Sequence, residues 1–129
     1  MTLERTAVLL VDDDEDTRVI YSTLFKHAGI DVITARDGAE GLRLATESRP
    51  RVILMDIGLP ILDGVEAVKR IRATPASPQV TIIALTGLFI TNRQQELLES
   101  GFDDVILKPA SPHAVLDVVQ SILRNSGST

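Results

Sequence analysis

The sequence predicts an α/β fold in which five parallel strands form one sheet and helices cover both of its faces. Five short apolar stretches without helical spacing alternate along the chain with five segments of helical character. The connections between them are short, and such connections require neighbouring strands to run parallel. Strands in a sheet of this kind are buried on both faces, which suits the continuous apolar runs of this chain.

The first strand and helix are predicted from the N-terminal part of the chain. Ala7–Val11 is an apolar run of strand length that ends on the acids Asp12–Asp14. Acids suit a helix N-terminus, where free backbone N–H groups and the helix dipole favour negative charge, so we expect a helix to follow. Its inward face is predicted to consist of Thr17, Ile20, Tyr21, Leu24 and Ala28, with Gly29 as the C-terminal stop.

The alternation continues to the middle of the chain. Asp31–Ala35 is predicted to be a short strand, Arg36–Gly38 its turn, and Ala39–Ser48 the second helix. Val52–Met55 has no helical spacing and is bounded by proline and glycine, which indicates a strand buried on both faces. This central strand ends on Asp56, and a strand-end Asp taken alone is also a common turn former.

The second half of the chain repeats the pattern. The predicted elements are a helix at Val65–Arg72, a strand at Val80–Leu85, a helix at Thr91–Ser100, a strand at Val105–Leu107 and a helix that begins at Pro112. We expect residues 1–125 to form a single domain and residues 126–129 to be a flexible tail.

Composition excludes several classes of protein. The chain has 129 residues, a formal charge of −5 and no cluster of Lys and Arg, which argues against direct binding to nucleic acid. It has no cysteine, so disulfides, thiolate catalysis and cysteine zinc sites are excluded. The apolar run near the N-terminus is too short for a signal peptide or a membrane span, and we expect a cytoplasmic protein with no membrane partner. No P-loop or G-x-G-x-x-G pattern follows a strand.

Four of the five predicted strands end on groups that belong together chemically. Asp12 and Asp13 follow the first strand, Asp56 the third, Thr86 the fourth and Lys108 the fifth. Ligands of open α/β sheets bind outside the carboxyl ends of the strands, where these side chains would converge. Three carboxylates at one edge repel one another unless one holds a proton or a divalent cation neutralises them.

These residue types indicate phosphoryl transfer. Hard oxygen ligands without His or Cys favour Mg²⁺, or Mn²⁺, over zinc. The metal and Lys108 would balance charge on the phosphoryl oxygens, Thr86 would donate a hydrogen bond, and one Asp would be the nucleophile that forms an acyl phosphate.

Four fragments in this order carry a resemblance to a known family. They are VDDD at Val11–Asp14, MDIGLPILDG at Met55–Gly64, ALTG at Ala84–Gly87 and GFDDVILKP at Gly101–Pro109. Over nearly its whole length the chain resembles the receiver domains of two-component response regulators, both stand-alone chemotaxis-type regulators and the receivers of hybrid kinases. The resemblance implies a doubly wound, flavodoxin-like sheet of strand order 2-1-3-4-5.

The resemblance also implies a role for each site residue. Asp56 would be the phosphoacceptor, Asp13 a direct ligand of Mg²⁺ and Asp12 a ligand that acts through water, with the Gly58 carbonyl as a further metal contact. Thr86 would take the phosphoryl hydrogen bond that drives switching.

Further positions bear on switching and structure. Lys108 would hold a phosphoryl oxygen, and the bond between Lys108 and Pro109 would be cis, as in the family. Asp14 is interpreted as a helix cap, and Asp63 and Gly64 as parts of a loop turn. Asp103 and Asp104 are interpreted as solvated loop residues.

The chain departs from the family at three positions. Val105 stands where the family often has an aromatic residue linked to switching, Gly58 offers no side chain over the phosphoryl group, and Ala110 replaces a frequent Phe. These departures concern the output of the signal. The apolar run Leu88–Ile90 after Gly87 would either carry the signal instead or be ordinary core beneath the fourth helix.

The predicted function is phosphorelay signal transduction. The chain would accept a phosphoryl group from a phosphohistidine of a sensor histidine kinase or histidine phosphotransfer protein, and would catalyse only its own phosphorylation and dephosphorylation. It would be a stand-alone regulator or part of a larger protein, with an unidentified output partner. The alternatives are an aspartate-nucleophile phosphatase, which would want a second Asp at the position of Gly58, and a pseudo-receiver that only binds a partner.

Overall fold

Ten helices and strands alternate along the described part of the chain. The computed structural model describes residues 7–57, 63–74, 80–87, 91–108 and 111–126. The strands are β1 (Val8–Val11), β2 (Val32–Ala35), β3 (Val52–Asp56), β4 (Thr81–Thr86) and β5 (Asp104–Leu107). The helices are α1 (Glu15–His27), α2 (Gly38–Ser48), α3 (Gly64–Arg72), α4 (Thr91–Ser100) and α5 (Pro112–Ser126).

The five strands form one parallel sheet of order β2-β1-β3-β4-β5. The predicted fold class and strand order are therefore confirmed. β3 lies at the centre of the sheet, and every residue from Val52 to Met55 is fully buried. Their burial on both faces explains why this strand is a continuous apolar run instead of an alternating one.

Each face of the sheet has its own hydrophobic core. Alternate residues of the strands, such as Leu9 and Ile53, point to one face and pack with α2, α3 and α4. The residues between them, such as Leu10 and Leu54, pack on the other face with α1 and α5. The period of two along each strand thus distributes a single apolar run between two layers of helices.

Asp side chains cap three of the helices. Asp14, Asp37 and Asp63 each accept a hydrogen bond from the backbone N–H three residues further on. Such caps satisfy helix N–H groups that lack an intrahelical partner. The predicted cap at Asp14 and the predicted turn role of Asp63 agree with this geometry. Because the caps are at Asp37 and Asp63, α2 and α3 begin at the glycines that follow.

The predicted inward face of α1 is partly wrong. Tyr21 is buried, but the side chain of Ile20 is 52% exposed and Ala28 is exposed at the C-cap. Phe25, which the prediction omitted, is fully buried in the α1 and α5 core. The helix therefore presents Phe25 to the core, because burial of the aromatic ring removes a large apolar surface from water.

Arg72 links several segments at the edge of the sheet opposite the carboxyl ends. Its guanidinium donates to the carbonyls of Gly101 (2.9 Å) and Val80 (2.8 Å) and to Oδ2 of Asp103 (2.6 Å). The same Asp103 oxygen accepts the Ile82 N–H at 2.7 Å, and the Asp103 N–H donates to the Ile82 carbonyl at 2.7 Å. Asp103 is thus a bonded structural residue, which corrects its interpretation as a merely solvated one.

The C-terminal helix is longer than predicted. α5 continues through Asn125 to Ser126, so the first residue of the predicted tail is helical. The remainder of that tail, residues 127–129, lies outside the described residues. No helix in the described ranges is long and apolar enough to cross a membrane.

Candidate functional site

Four of the predicted site residues meet at the carboxyl edge of the sheet. One carboxylate oxygen from each of Asp12, Asp13 and Asp56 lies within 4.8 Å of the other two. Lys108 Nζ lies 3.6 Å from Asp56 Oδ1 and 3.7 Å from Asp12 Oδ2. Both separations exceed hydrogen-bond length, so Lys108 interacts with the two carboxylates as a shared counter-ion. Three carboxylates and one ammonium leave this cluster with a formal charge of −2.

The three carboxylates differ in exposure. Asp12 is 1% exposed, Asp56 is half-buried and Asp13 is exposed. Oδ1 of Asp12 accepts the Asp14 N–H at 2.9 Å, whereas its buried Oδ2 has no hydrogen-bond partner among the described residues. Burial is the main reason that the pKa of Asp12 lies above its usual 3.8. The carboxylates of Asp56 and Asp13 also raise it, while the Asp14 N–H and Lys108 lower it.

Hydrogen bonds within the turn and to β2 hold the β1–α1 turn that carries Asp12 and Asp13. The Asp12 N–H donates to the Ala35 carbonyl at the end of β2 (3.0 Å), and the Asp12 carbonyl accepts from Arg18 Nη1 (2.8 Å). Asp14 then caps α1 and accepts from both the N–H and the hydroxyl of Thr17. These Thr17 bonds are the main reason that the pKa of Asp14 is lowered.

Gly64 allows α3 to begin directly beside Asp56. A Cβ at position 64 would lie 2.7 Å from the Asp56 carbonyl oxygen and 3.1 Å from the Ile57 Cα. The Gly64 N–H also donates to the Ile57 carbonyl at 3.2 Å. Only a residue without a side chain permits this approach of backbone to backbone. Gly64 therefore shapes the backbone around Asp56, in agreement with its predicted role in the loop turn.

Thr86 and Lys108 lie at the ends of neighbouring strands. Asp56 is paired with Leu85 in the β3–β4 register, so Thr86 lies one residue beyond it. Thr86 is 3% exposed, and its carbonyl accepts the Lys108 N–H at 2.7 Å. This bond ties the residue that carries the ammonium to the one that carries the hydroxyl.

The remaining predicted positions lie around this site or outside the described residues. Gly87 is exposed, and a Cβ there would meet only the Lys108 Cβ, at 3.8 Å, so the described structure does not require glycine at this position. Val105 is partly buried and packs against the core on the α2, α3 and α4 face. Positions that fall outside the described residues are Gly58, Leu88–Ile90, Pro109 and Ala110.

Two residues near the carboxylates were not predicted to take part in the site. Arg18 reaches back from the second turn of α1 to the Asp12 carbonyl. Tyr21, one turn further along, was predicted only as a core residue, but its pKa is raised by burial and also by the charge of Asp12. A basic residue six positions after a strand-end Asp is the signal that could have indicated Arg18.

Comparisons with known proteins agree with this geometry. The chain matches the family described as the response regulator receiver domain over residues 8–120. It is 39% identical over 122 residues to the transcriptional regulatory protein PrrA of Mycobacterium tuberculosis, a match that covers 95% of this chain and 52% of PrrA. The chain thus spans about half the length of PrrA.

Two solved structures are similar in both sequence and fold. The receiver domain of the sensor histidine kinase PA1611 from Pseudomonas aeruginosa is 30% identical to this chain, with a TM-score of 0.81. The match covers 92% of this chain and 97% of that one. The PA1611 structure has a magnesium ion coordinated in its active site cleft. A chain of the complex between the Saccharomyces cerevisiae phosphotransfer protein Ypd1 and the receiver domain of Ssk1 is 27% identical with a TM-score of 0.80, covering 93% and 90%.

The resemblance that the four sequence fragments indicated is confirmed. The family match extends from the first residue of β1 into α5 and so includes every strand of the sheet. The chain belongs to the response regulator receiver domain family and is a receiver domain of two-component phosphorelay signalling.

Proposed function

We propose that this chain accepts a phosphoryl group on Asp56 in a reaction that requires Mg²⁺, and that phosphorylation switches its conformation. The observation that carries the proposal is the position of the Asp56 carboxylate. It lies within 4.8 Å of two other carboxylates that can share a cation, and its other neighbour is the ammonium of Lys108, 3.6 Å away. A phosphoryl group on Asp56 would have positive charge available from both sides.

Exposure and bonding favour Asp56 over the other acids as the phosphoacceptor. Asp12 is almost fully buried, and its two oxygens face the Asp14 N–H and the Lys108 ammonium. Asp13 is exposed, and among the described residues Lys108 forms its ion pairs with Asp12 and Asp56 instead of with Asp13. Asp56 is half-buried at the end of the central strand, accessible to a donor and supported on both sides.

The donor set fits a divalent cation. The cluster of three carboxylates and Lys108 has a formal charge of −2, which one divalent cation neutralises. The buried Asp12 Oδ2 has no hydrogen-bond partner in the described part of the chain, so it can accept a hydrogen bond from a metal-bound water without losing another partner. All the ligands are oxygens, which suits Mg²⁺ and also Mn²⁺. We propose Asp13 and Asp56 as direct ligands, Asp12 as a ligand through water, and the carbonyl of Gly58 as a further ligand.

The proposed chemistry is a displacement at phosphorus. An oxygen of Asp56 forms a bond to the phosphorus of a phosphohistidine while the P–N bond breaks, and the electron pair stays on the imidazole nitrogen, which takes up a proton. Bound Mg²⁺ supplies positive charge that offsets the charge of the transferring oxygens. Lys108 exchanges its contact with the Asp56 carboxylate for one with a phosphoryl oxygen. In hydrolysis, a water oxygen would bond to the phosphorus as the bond between phosphorus and the Asp56 oxygen breaks, which releases inorganic phosphate and restores the Asp56 carboxylate.

Switching is proposed to begin at Thr86. Its hydroxyl would donate to a phosphoryl oxygen, and its carbonyl is already bonded to the Lys108 N–H. A movement of Thr86 would therefore reach β5 through Lys108. Gly87 and Pro109 are proposed to respond, whereas the response at Val105 is proposed to be muted, because this short β-branched side chain has few rotamers. We also propose that residues 1–125 form the receiver domain.

We propose a histidine kinase or a histidine phosphotransfer protein as the phosphodonor. The complex of Ypd1 with the Ssk1 receiver supports this class of partner for a domain of the same fold. The protein would turn over only its own aspartyl phosphate and would not act as an enzyme on other substrates. The cytoplasmic location expected from the sequence stays a prediction.

The test is incubation with a small acyl phosphate or phosphoramidate donor, with and without Mg²⁺, followed by intact mass measurement. We expect a mass increase of one phosphoryl group only with Mg²⁺, and none for Asp56→Asn. Asp117→Asn is the matched control, since Asp117 is exposed on α5, and it should be labelled like the unmodified protein. Labelling of Asp12 or Asp13 in the unmodified protein would contradict the assignment, and no labelling at all would favour a pseudo-receiver.

A further inference from the structure

We infer that Arg18 is a positioning residue of the metal site, because its guanidinium holds the Asp12 carbonyl and thereby fixes the turn that presents Asp12 and Asp13 to a divalent cation. This inference rests on the proposed function. Arg18 Nη1 donates to the Asp12 carbonyl at 2.8 Å across a separation of six residues. The bond joins the second turn of α1 to the residue that follows β1.

The bond from Arg18 completes a set of restraints on Asp12. The Asp12 N–H is held by the Ala35 carbonyl and the Oδ1 atom by the Asp14 N–H. The carbonyl is the remaining main-chain polar group of Asp12, and Arg18 donates to it. With both main-chain groups and Oδ1 bonded, rotation of the peptide plane between Asp12 and Asp13 would break the Arg18 contact, so Arg18 restrains the backbone from which the Asp13 side chain projects.

The surroundings of Arg18 suit this role better than a role in a surface ion pair. Arg18 is half-buried, and none of the ion pairs between described residues involves it. Arg43 on α2, by contrast, pairs with the carboxylate of Glu47 one turn away, at 3.0 Å. The hydrogen bond of Arg18 goes instead to the backbone of a predicted metal ligand.

Positioning and charge balance predict opposite effects when Arg18 is replaced. If Arg18 only added positive charge near the carboxylates, its removal would make the site more negative and tighten Mg²⁺ binding. If Arg18 positions the ligands, its removal weakens binding, because loss of a group that orients metal ligands typically lowers metal affinity by about 10- to 100-fold. The sign of the change therefore separates the two roles.

Tyr21 provides a spectroscopic measurement of binding that does not depend on activity. It is the only tyrosine of the chain, which has no tryptophan, and it is buried within range of the Asp12 charge. Neutralisation of the Asp12 charge by a bound cation changes the electric field at the phenol ring. We expect Mg²⁺ to change the tyrosine fluorescence, and titration then yields the affinity.

The experiment compares the Mg²⁺ affinity of the full chain with that of Arg18→Met, Arg18→Lys and the control Arg43→Met. Arg43 is exposed on α2, so its replacement makes the same change in net charge away from the site. We expect binding to weaken about tenfold in Arg18→Met and less in Arg18→Lys, which keeps a donor. The control should bind like the unmodified chain.

Two results would overturn the inference, and they are distinguishable. Unchanged or tighter binding in Arg18→Met, with a normal titration of the unmodified chain, would refute the positioning role alone. Failure of the unmodified chain to bind Mg²⁺, by fluorescence and by calorimetry, would refute both this role and the proposed metal site. If Arg18→Met does not fold, the Arg18→Lys titration takes its place in the first of these tests. Binding weaker than that of the unmodified chain then supports the positioning role, and equal or tighter binding refutes it.

Discussion

Replacing Asp12 with Asn should stabilise the metal-free protein. Asp12 is almost fully buried, one of its oxygens has no hydrogen-bond partner among the described residues, and two further carboxylates lie within 4.8 Å. Asn has nearly the same shape and keeps an acceptor for the Asp14 N–H. The substitution thus removes a buried charge that lowers the free energy of unfolding, and it leaves the packing of the turn intact.

The size of the effect follows from the distances. At an effective dielectric constant of about 20, two charges at 4.8 Å, the upper limit for these carboxylate oxygens, repel by about 3.5 kcal/mol, and Lys108 at 3.7 Å attracts Asp12 by about 4.5 kcal/mol. Loss of two repulsions and one attraction favours the variant by about 2.5 kcal/mol before solvent screening at the exposed Asp13. We expect a gain of about 1–2 kcal/mol in the free energy of unfolding, or roughly 3–8 °C in melting temperature.

The assay is thermal and denaturant unfolding in the presence of a chelator, as a function of pH. Because burial raises the folded pKa of Asp12 above 3.8, the unmodified protein should gain stability as the pH falls through this raised pKa towards 3.8. Asp12→Asn should lack that gain. Asp14 has a lowered pKa in the folded protein, so it stabilises the fold above pH 3.8. This stabilisation is lost as the pH falls below 3.8 through the folded pKa of Asp14.

The control is Asp117→Asn, an exposed site where the change should lie within about 0.5 kcal/mol. The reasoning would be refuted if Asp12→Asn melted at or below the temperature of the unmodified protein at neutral pH without metal.

Three further predictions concern the other site residues. Mg²⁺ should raise the melting temperature, because it binds a carboxylate cluster that the unfolded chain lacks. Asp13→Ala should remove most of that shift. An unchanged melting temperature of the unmodified protein would argue against the site. Lys108→Ala should bind Mg²⁺ in a calorimetric titration, since the site becomes more negative, but be phosphorylated or switched poorly; wild-type switching would contradict the role of Lys108. Gly64→Ala should destabilise the fold by about 1–3 kcal/mol in urea unfolding, because the alanine Cβ would overlap the Asp56 carbonyl oxygen. Gly87→Ala is the matched control and should have little effect.

The sequence was sufficient for the fold because its signals are local and repeated. Val52–Met55 and the other apolar runs are too short and too continuous for amphipathic helices, and the parallel order follows from the short connections. The helices α2 and α3 begin one residue earlier than predicted, because Asp37 and Asp63 are their N-cap residues. The face of α1 was partly wrong because spacing alone does not show that Phe25 is inserted into the core in preference to Ile20.

The candidate site was predictable for a topological reason. Residues that end parallel strands must meet at one edge of the sheet, so Asp12, Asp56 and Lys108 could be grouped without knowledge of any side-chain contact. The contacts of Arg18 and Arg72 could not be predicted in this way. Each depends on the path of a long side chain across a particular helix, and many such paths are compatible with the same pattern of apolar residues.

The bonds around Arg72 have a mechanical consequence for the site. Because Asp103 is bonded directly to Ile82 and Arg72 bonds both Asp103 and the Val80 carbonyl, β5 cannot slide along β4 without breaking several hydrogen bonds at once. The restraint acts at one end of the two strands. At about 3.3 Å per residue, Thr86 lies about 13 Å beyond Ile82 along β4, at the opposite end of the strand. The bonds of Arg72 are thus remote from the place where the phosphoryl group would bind, and they are compatible with a twist of β4 and β5 there.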